Sequence, residues 1–159
     1  MSQTLVAYFS ASGMTARLAK TLADAAGADL FEIEPARRYT SADLNWNDAQ
    51  SRSSLEMKDP KARPAMAGAV KDMARYDTVF VGFPIWWYQA PRIIETFLES
   101  CDLSQKTIIP FATSGGSGMG RTEEILKALC PADTLWKPGK LLNARADRET
   151  VLSWLKSLN

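Results

Sequence analysis

The chain contains no histidine and only two cysteines, and its 19 basic and 18 acidic residues leave a formal net charge of +1 over 159 residues. Without histidine there is no Ser/His/Asp or Cys/His triad, and most zinc constellations are excluded as well. Cys101 and Cys130 stand too far apart for a CxxC pair, and each falls in or at the end of an apolar helical pattern. Reduced, buried thiols are expected. The near-neutral balance gives no pull toward nucleic acid or a membrane surface, and the basic residues form no stripe with interleaved aromatics. Long hydrophobic runs are missing too: the N-terminal one is about five residues, too short for a signal peptide or a membrane span. These absences point to a cytoplasmic protein with no nucleic-acid or membrane partner and no candidate for a resident metal or a histidine-dependent triad.

What is present is alternation. "LVAYF", "LFEIE", "TVFVGF", "TIIPF" and "TLW" read as strands, with helical patterns between them, which argues for a parallel sheet covered on both faces. The first, third and fourth runs are apolar throughout and belong in the centre. "LFEIE" alternates, with Glu32 and Glu34 on one face, and belongs at an edge. Core stripes follow at helical spacing: Leu18, Ala19, Leu22, Ala23 and Ala26; Ile94, Phe97, Leu98 and Cys101; Ile125, Leu126 and Leu129, closed by Pro131; Val151, Leu152, Leu155 and Leu158. The length fits one domain, residues 1–159, interrupted by a polar excursion at about 35–70 that is longer than a normal strand-to-helix connection. Within it a helix is expected from about Ser41 to Met57, capped by Thr40 or Ser41. The excursion reads as a surface detour or, given Trp46, as a lid over a ligand.

Three unusual loops leave strand ends. The first, SASGMT (Ser10, Ala11, Ser12, Gly13, Met14, Thr15), joins a strand to a helix. Its hydroxyls exceed what one N-cap needs, and a helix start stabilises an anion without any lysine. The second, Pro84, Ile85, Trp86, Trp87 and Tyr88, sets three aromatics in a row, which cannot all enter one core, so at least one faces a ligand or solvent. Pro91 then opens a helix at its first position. The third loop, Thr113 to Gly120, contains Ser114, Gly115, Gly116 and Gly118, and glycine here lets backbone amides approach a flat ligand. It is neither a P-loop, since Arg121 stands where lysine belongs, nor a GxGxxG fingerprint.

Together these segments resemble the flavodoxin family, in particular bacterial members with YFSxSGxT, GFPIWWxxAPR and PFxTSGGSGxG stretches. The resemblance covers nearly the whole chain. It implies a flavodoxin-like doubly wound five-stranded parallel sheet of order 2-1-3-4-5 with helices on both faces, and bound FMN. The phosphate would lie on Ser10 to Thr15 and the ring between Pro84 to Tyr88 and Thr113 to Gly118. The function implied is an FMN-binding redox protein that passes electrons to a partner protein or a small acceptor such as a quinone. The alternative is an NAD(P)H-dependent FMN/quinone oxidoreductase using the same site. Two departures from acidic flavodoxins stand out: the chain is near neutral, and its third loop has no aromatic. Both ring loops end in an arginine, Arg92 or Arg121, which would favour reduced flavin if either faced the ring.

Overall fold

The computed structural model describes residues 3–11, 13–113, 122–142 and 145–158. Its elements in chain order are β1 (Gln3–Tyr8), α1 (Met14–Ala26), β2 (Asp29–Glu32), α2 (Arg52–Lys58), β3 (Tyr76–Pro84), α3 (Arg92–Ser100), β4 (Thr107–Thr113), α4 (Thr122–Lys127), β5 (Leu135–Trp136), β6 (Lys140–Leu141) and α5 (Arg148–Ser157). The sheet is parallel with order β2-β1-β3-β4-β5, and β6 also pairs with β4. The three central strands are the three continuous apolar runs, and the alternating run lies at the edge. Among the described residues no helix is long and apolar enough to cross a membrane.

Period-two alternation explains why apolar runs end up central. In β1, Val6 and Tyr8 turn to one face and Leu5 and Ala7 to the other; in β4, Ile109 and Phe111 oppose Ile108 and Ala112. Both faces are buried, so neither tolerates a polar residue. Leu18, Leu22, Val151 and Trp154 cover the first face. Ile93, Ile94, Phe97 and Leu126 cover the second. The C-terminal stripe is centred on Trp154, which meets Phe80 and Phe111 edge-on with ring centroids 5.7 and 6.5 Å apart.

The fifth strand is split in two. Lys137 donates to the Ile108 carbonyl and Leu142 to that of Ala112. Pro110, between them in register, faces the same side and has no N–H to give. The chain breaks its pairing there, with Gly139 so close to Pro110 that a Cβ would fall 2.9 Å from the Pro110 carbonyl oxygen. A second close approach occurs at Gly82, where a Cβ would stand 2.2 Å from Phe111 Cζ.

The excursion differs most from expectation. The Thr40 hydroxyl accepts from the Asp43 amide while the Asp43 carboxylate accepts from the Thr40 amide. This start is not propagated. Asn45 and Asp48 instead accept from the amides two residues on, which competes with helix, and helix resumes only at Arg52, with the Ser51 hydroxyl accepting from Ser54 N–H. Pro91 is the N-cap of α3 and not its first residue. The two ends of the excursion meet as an antiparallel bridge, Pro35 with Met66. Ala36 donates to the Ala65 carbonyl at 2.8 Å and Ala67 to that of Glu34 at 2.7 Å.

Arg92 and Glu95 pin the excursion to α3. Arg92, 4 % exposed, donates to the Glu56 and Met57 carbonyls at the end of α2 and to Glu95. Glu95, 3 % exposed, also accepts from Arg63 at 2.8 Å. Arg92 is thus neutralised and engaged, and the expectation that it lends a positive charge to a flavin ring is corrected. Arg121 lies outside the described residues. The cysteines are free but only half-buried, against the expectation of full burial; Cys101 Sγ donates to the Phe97 carbonyl at 3.1 Å.

Candidate functional site

The first loop leaves β1 at its carboxyl end and enters α1 through Gly13, whose φ of 89° is left-handed and favours glycine. The Gly13 amide donates to Ser10 Oγ at 3.0 Å. The first intrahelical bond runs from Arg17 N–H to the Gly13 carbonyl, so the amides of Met14, Thr15 and Ala16 precede it and have no intrahelical acceptor. Gly13 supplies no side-chain cap and the first turn holds no carboxylate. An anion therefore fits this helix start by charge and by donors. Ser10 is half-buried and keeps its own hydroxyl proton to donate, since it accepts from Gly13. Ala11 is half-buried and Met14 is exposed. Ser12 lies outside the described residues.

Thr15 is buried, and its hydroxyl lies 2.8 Å from that of Thr113 at the end of β4. One of the two donates to the other, so the accepting hydroxyl keeps its proton for a further partner. The Thr113 carbonyl accepts from Ile85 N–H at 2.9 Å. Residues from all three loops expected to converge are thus tied together at Thr113. Ser114, Gly115, Gly116 and Gly118 lie outside the described residues.

Pro84, Ile85 and Trp86 are half-buried. Trp86 meets Phe9 and Tyr39 edge-on at 5.7 and 5.5 Å. Trp86 and Gln89 exchange two backbone hydrogen bonds of 2.8 and 3.0 Å, enclosing Trp87 and Tyr88 in a two-residue turn. Both central residues are left-handed, at φ 49° and 63°, as in the mirror-image hairpin turns that usually carry Asn-Gly. An L side chain there costs roughly 1–2 kcal/mol per residue. The turn holds Trp87 43 % exposed and Tyr88 62 % exposed, so the strain displays two aromatics rather than burying them. Thr122 Oγ1 donates to the Tyr88 carbonyl at 3.3 Å, bracing the turn from α4.

Beneath the turn, Tyr39 is clamped. Its hydroxyl donates to Glu56 at 2.5 Å, the Arg52 guanidinium lies 3.8 Å above its ring, and Arg52 pairs with Glu56 at 2.9 Å. Burial, and then the bond to Glu56, raise the Tyr39 phenol well above its ordinary range, so it stays protonated as a fixed donor. Sequence reasoning missed this cluster because Tyr39, Arg52 and Glu56 come from the excursion, where no periodicity marked them. Among the described residues no group of histidine, cysteine, aspartate or glutamate could hold a metal ion.

Known proteins share this fold. A family model described as Flavodoxin matches residues 3–158. The chain is 52 % identical to a candidate flavoprotein from Bacteroides eggerthii, over 99 % of this chain and 98 % of that one, with a TM-score of 0.93. It is 53 % identical to a candidate flavoprotein from Bacteroides uniformis, over 98 % of both chains, with a TM-score of 0.92. A flavoprotein from Lactobacillus acidophilus, solved in complex with FMN, shares the fold at 20 % identity, over 98 % of this chain and 99 % of that one, with a TM-score of 0.70. No match was found among curated proteins. With its parallel order 2-1-3-4-5 and a family match spanning residues 3–158, the chain belongs to the flavodoxin family.

Proposed function

We propose that the protein binds FMN and works as a redox protein through it. The observation that carries this reading is the α1 start: an N-terminus with no side-chain cap and no acid, tied through Thr15 and Thr113 to a strained aromatic turn. Ser10, Ser12, Thr15 and the first amides of α1 would hold the phosphate. Trp87 or Tyr88 would present a flat face to the ring, and the segment from Thr113 to Gly118 would supply its other contacts. When bound, FMN supplies the one- and two-electron chemistry, and the protein supplies binding, orientation and electrostatics. The half-buried, free thiols Cys101 and Cys130 support a reducing, cytoplasmic setting.

The test is discrimination between FMN and riboflavin by apoprotein. Replacing Ser10 and Thr15 by alanine should weaken FMN by about 2–4 kcal/mol, taking about 1.5 kcal/mol or more per charge-assisted bond, and leave riboflavin nearly unchanged. Equal loss for both flavins would show that this loop does not hold phosphate.

A carrier would hand its electrons to a partner protein; an enzyme would take hydride from NAD(P)H and reduce a small acceptor. A concave, partly apolar hollow beside Trp87 favours the second reading. Anaerobic addition of NADH or NADPH to the FMN-loaded protein separates them: prompt bleaching of flavin absorbance is expected of the enzyme and not of the carrier.

A further inference from the structure

The chain's two cysteines lie at the pole of the sheet opposite the three loops. α3 runs back from the carboxyl end of β3, and Cys101 is its C-cap, in extended backbone at φ −134° and ψ 158°. α4 runs back from the carboxyl end of β4, and Cys130 closes the turns after it, its amide donating to the Lys127 carbonyl at 3.2 Å. Both side chains rest against one buried cluster, which includes Phe97, Leu103 and Leu126. The segments that follow them are tied to each other: the Thr134 hydroxyl donates to the Leu103 carbonyl at 2.9 Å, and Leu135 N–H to the Lys106 carbonyl at 2.8 Å. Cys101 is also near enough to Cys130 to disfavour a charge on it. Each thiol is half-buried and free, so a small reagent can reach it. Cys101 makes only a weak thiol donation to the Phe97 carbonyl and has already left the helix, so its side chain can turn toward Cys130 without unwinding α3. Among the described residues no third histidine, cysteine, aspartate or glutamate joins them as a metal ligand, and the joint chemistry left to the pair is oxidation.

We propose that Cys101 and Cys130 form a reversible disulfide, a latch that staples the end of α3 to the end of α4 and closes in response to a low-molecular-weight disulfide, RSSR. The Cys101 thiolate attacks one sulfur of RSSR, forming a mixed disulfide and breaking the S–S bond; the departing RS⁻ takes up the proton that Cys101 lost. The Cys130 thiolate then attacks the Cys101 sulfur and expels the second RS⁻, which takes up the Cys130 proton. Two protein thiols are oxidised and one RSSR is reduced to two RSH. Cys101 reacts first because the Ser100 hydroxyl and Lys106 offset part of its burial, whereas burial and Cys101 itself both push Cys130 up, to about 11. Few thiolates exist at neutral pH, so the latch stays open in a reducing setting and closes under sustained oxidation. Closing a loop of about 30 residues restricts the unfolded chain and stabilises the fold. The latch stands whether or not FMN binds.

The test incubates the native full-length chain with excess 2-hydroxyethyl disulfide at pH 8 and reads intact mass, a non-reducing peptide map and Tm. The expected product is a monomer about 2 Da lighter and free of adduct, since two thiols have lost their hydrogens. Its map should show one peptide pair joined through Cys101 and Cys130, and its Tm should rise by about 5–10 °C and fall back with dithiothreitol. Cys130→Ser should stop at a single adduct on Cys101. Two adducts per native chain, a disulfide-linked dimer or an unchanged mass overturns the proposal. So does a joined pair that forms only in the urea-unfolded chain or that lowers Tm, because the folded ends would then not fit the bond. The map of the native chain decides the matter even if the serine variant fails to fold.

Discussion

Replacing Glu95 by glutamine removes a charge from the centre of the excursion's anchor and changes almost no volume. Glu95 is 3 % exposed and accepts from Arg92 and Arg63, each at 2.8 Å. A pair of unit charges about 4 Å apart attracts by about 4 kcal/mol at an effective dielectric of 20, and desolvation offsets much of that in the intact pair. The offset disappears when one partner goes: Arg92, 4 % exposed, keeps its charge and its burial. The expected loss is about 3–5 kcal/mol, a large share of the roughly 5–15 kcal/mol that holds a domain together. Urea denaturation of apoprotein, followed by circular dichroism, measures it. The double variant Arg92→Met/Glu95→Leu should recover part of the loss, and only part, because the Glu56 and Met57 carbonyls lose their donor. A cost below about 1 kcal/mol, typical of exposed ion pairs, would refute the reasoning. So would an effect abolished by high salt, which screens exposed pairs far more than buried ones.

Thr113→Val leaves the buried Thr15 hydroxyl without its partner and should cost about 1–3 kcal/mol, whereas Thr15→Val/Thr113→Val should cost less than the sum of the single changes; denaturation curves for the four proteins check this. Gly82→Ala places a methyl where the Phe111 ring already lies and should destabilise by about 1–3 kcal/mol through overpacking, read as a lowered Tm. The Cys130 thiol is pushed up from 9.0 to about 11, by burial first and then by Cys101, so iodoacetamide at pH 7.5 should alkylate it more slowly in folded than in urea-unfolded protein. A folded pKa above the unfolded one means that its stabilising contribution is complete below pH 9.0 and is lost as pH rises toward about 11; Cys130→Ala should flatten that part of the stability profile. Asp147 caps α5 by accepting from the Thr150 amide, which lowers its carboxyl below 3.8. Asp147→Ala should therefore lower Tm at pH 7, by a difference that shrinks as the pH falls below 3.8 and the native carboxylate protonates.

The central sheet was legible because β1, β3 and β4 are buried on both faces, which leaves continuous apolar runs whose short length and β-branched and aromatic content mark them as strands. The strand order came from the resemblance and not from those runs. The fifth strand was harder: its break answers to Pro110 on the neighbouring strand, a pairing that local sequence does not encode. Thr40 announced a helix truthfully for one turn. Asn45 and Asp48 then offered the backbone closer acceptors than the next turn would have, and these short-range bonds are what a reading of periodicity passes over. The aromatic turn could not be ordered from sequence because Trp87 and Tyr88 occupy left-handed positions against their own preference. The buried engagement of Arg92 was not legible because its partners, Glu56, Met57 and Glu95, include two carbonyls from a segment far away in the chain.

The bridge at Pro35 and Met66 makes the intervening stretch a cassette. Its entry and exit strands are buttoned together, so residues 36–65 leave and return at one doorway of the sheet. The entropy of closing such a loop grows only with the logarithm of its length, about 0.6 kcal/mol per doubling. A shorter or longer stretch could therefore be stitched in between the buttons at modest cost, provided that it supplies α3 with substitutes for the carbonyls of Glu56 and Met57 and for the guanidinium of Arg63. Trp46 and Lys58, which line the hollow beside Trp87, travel inside that stretch. Exchanging the cassette would recut the wall beside the aromatic turn while leaving the sheet, the α1 start and the Thr15–Thr113 tie as they are, which makes the shape of that hollow a transplantable trait.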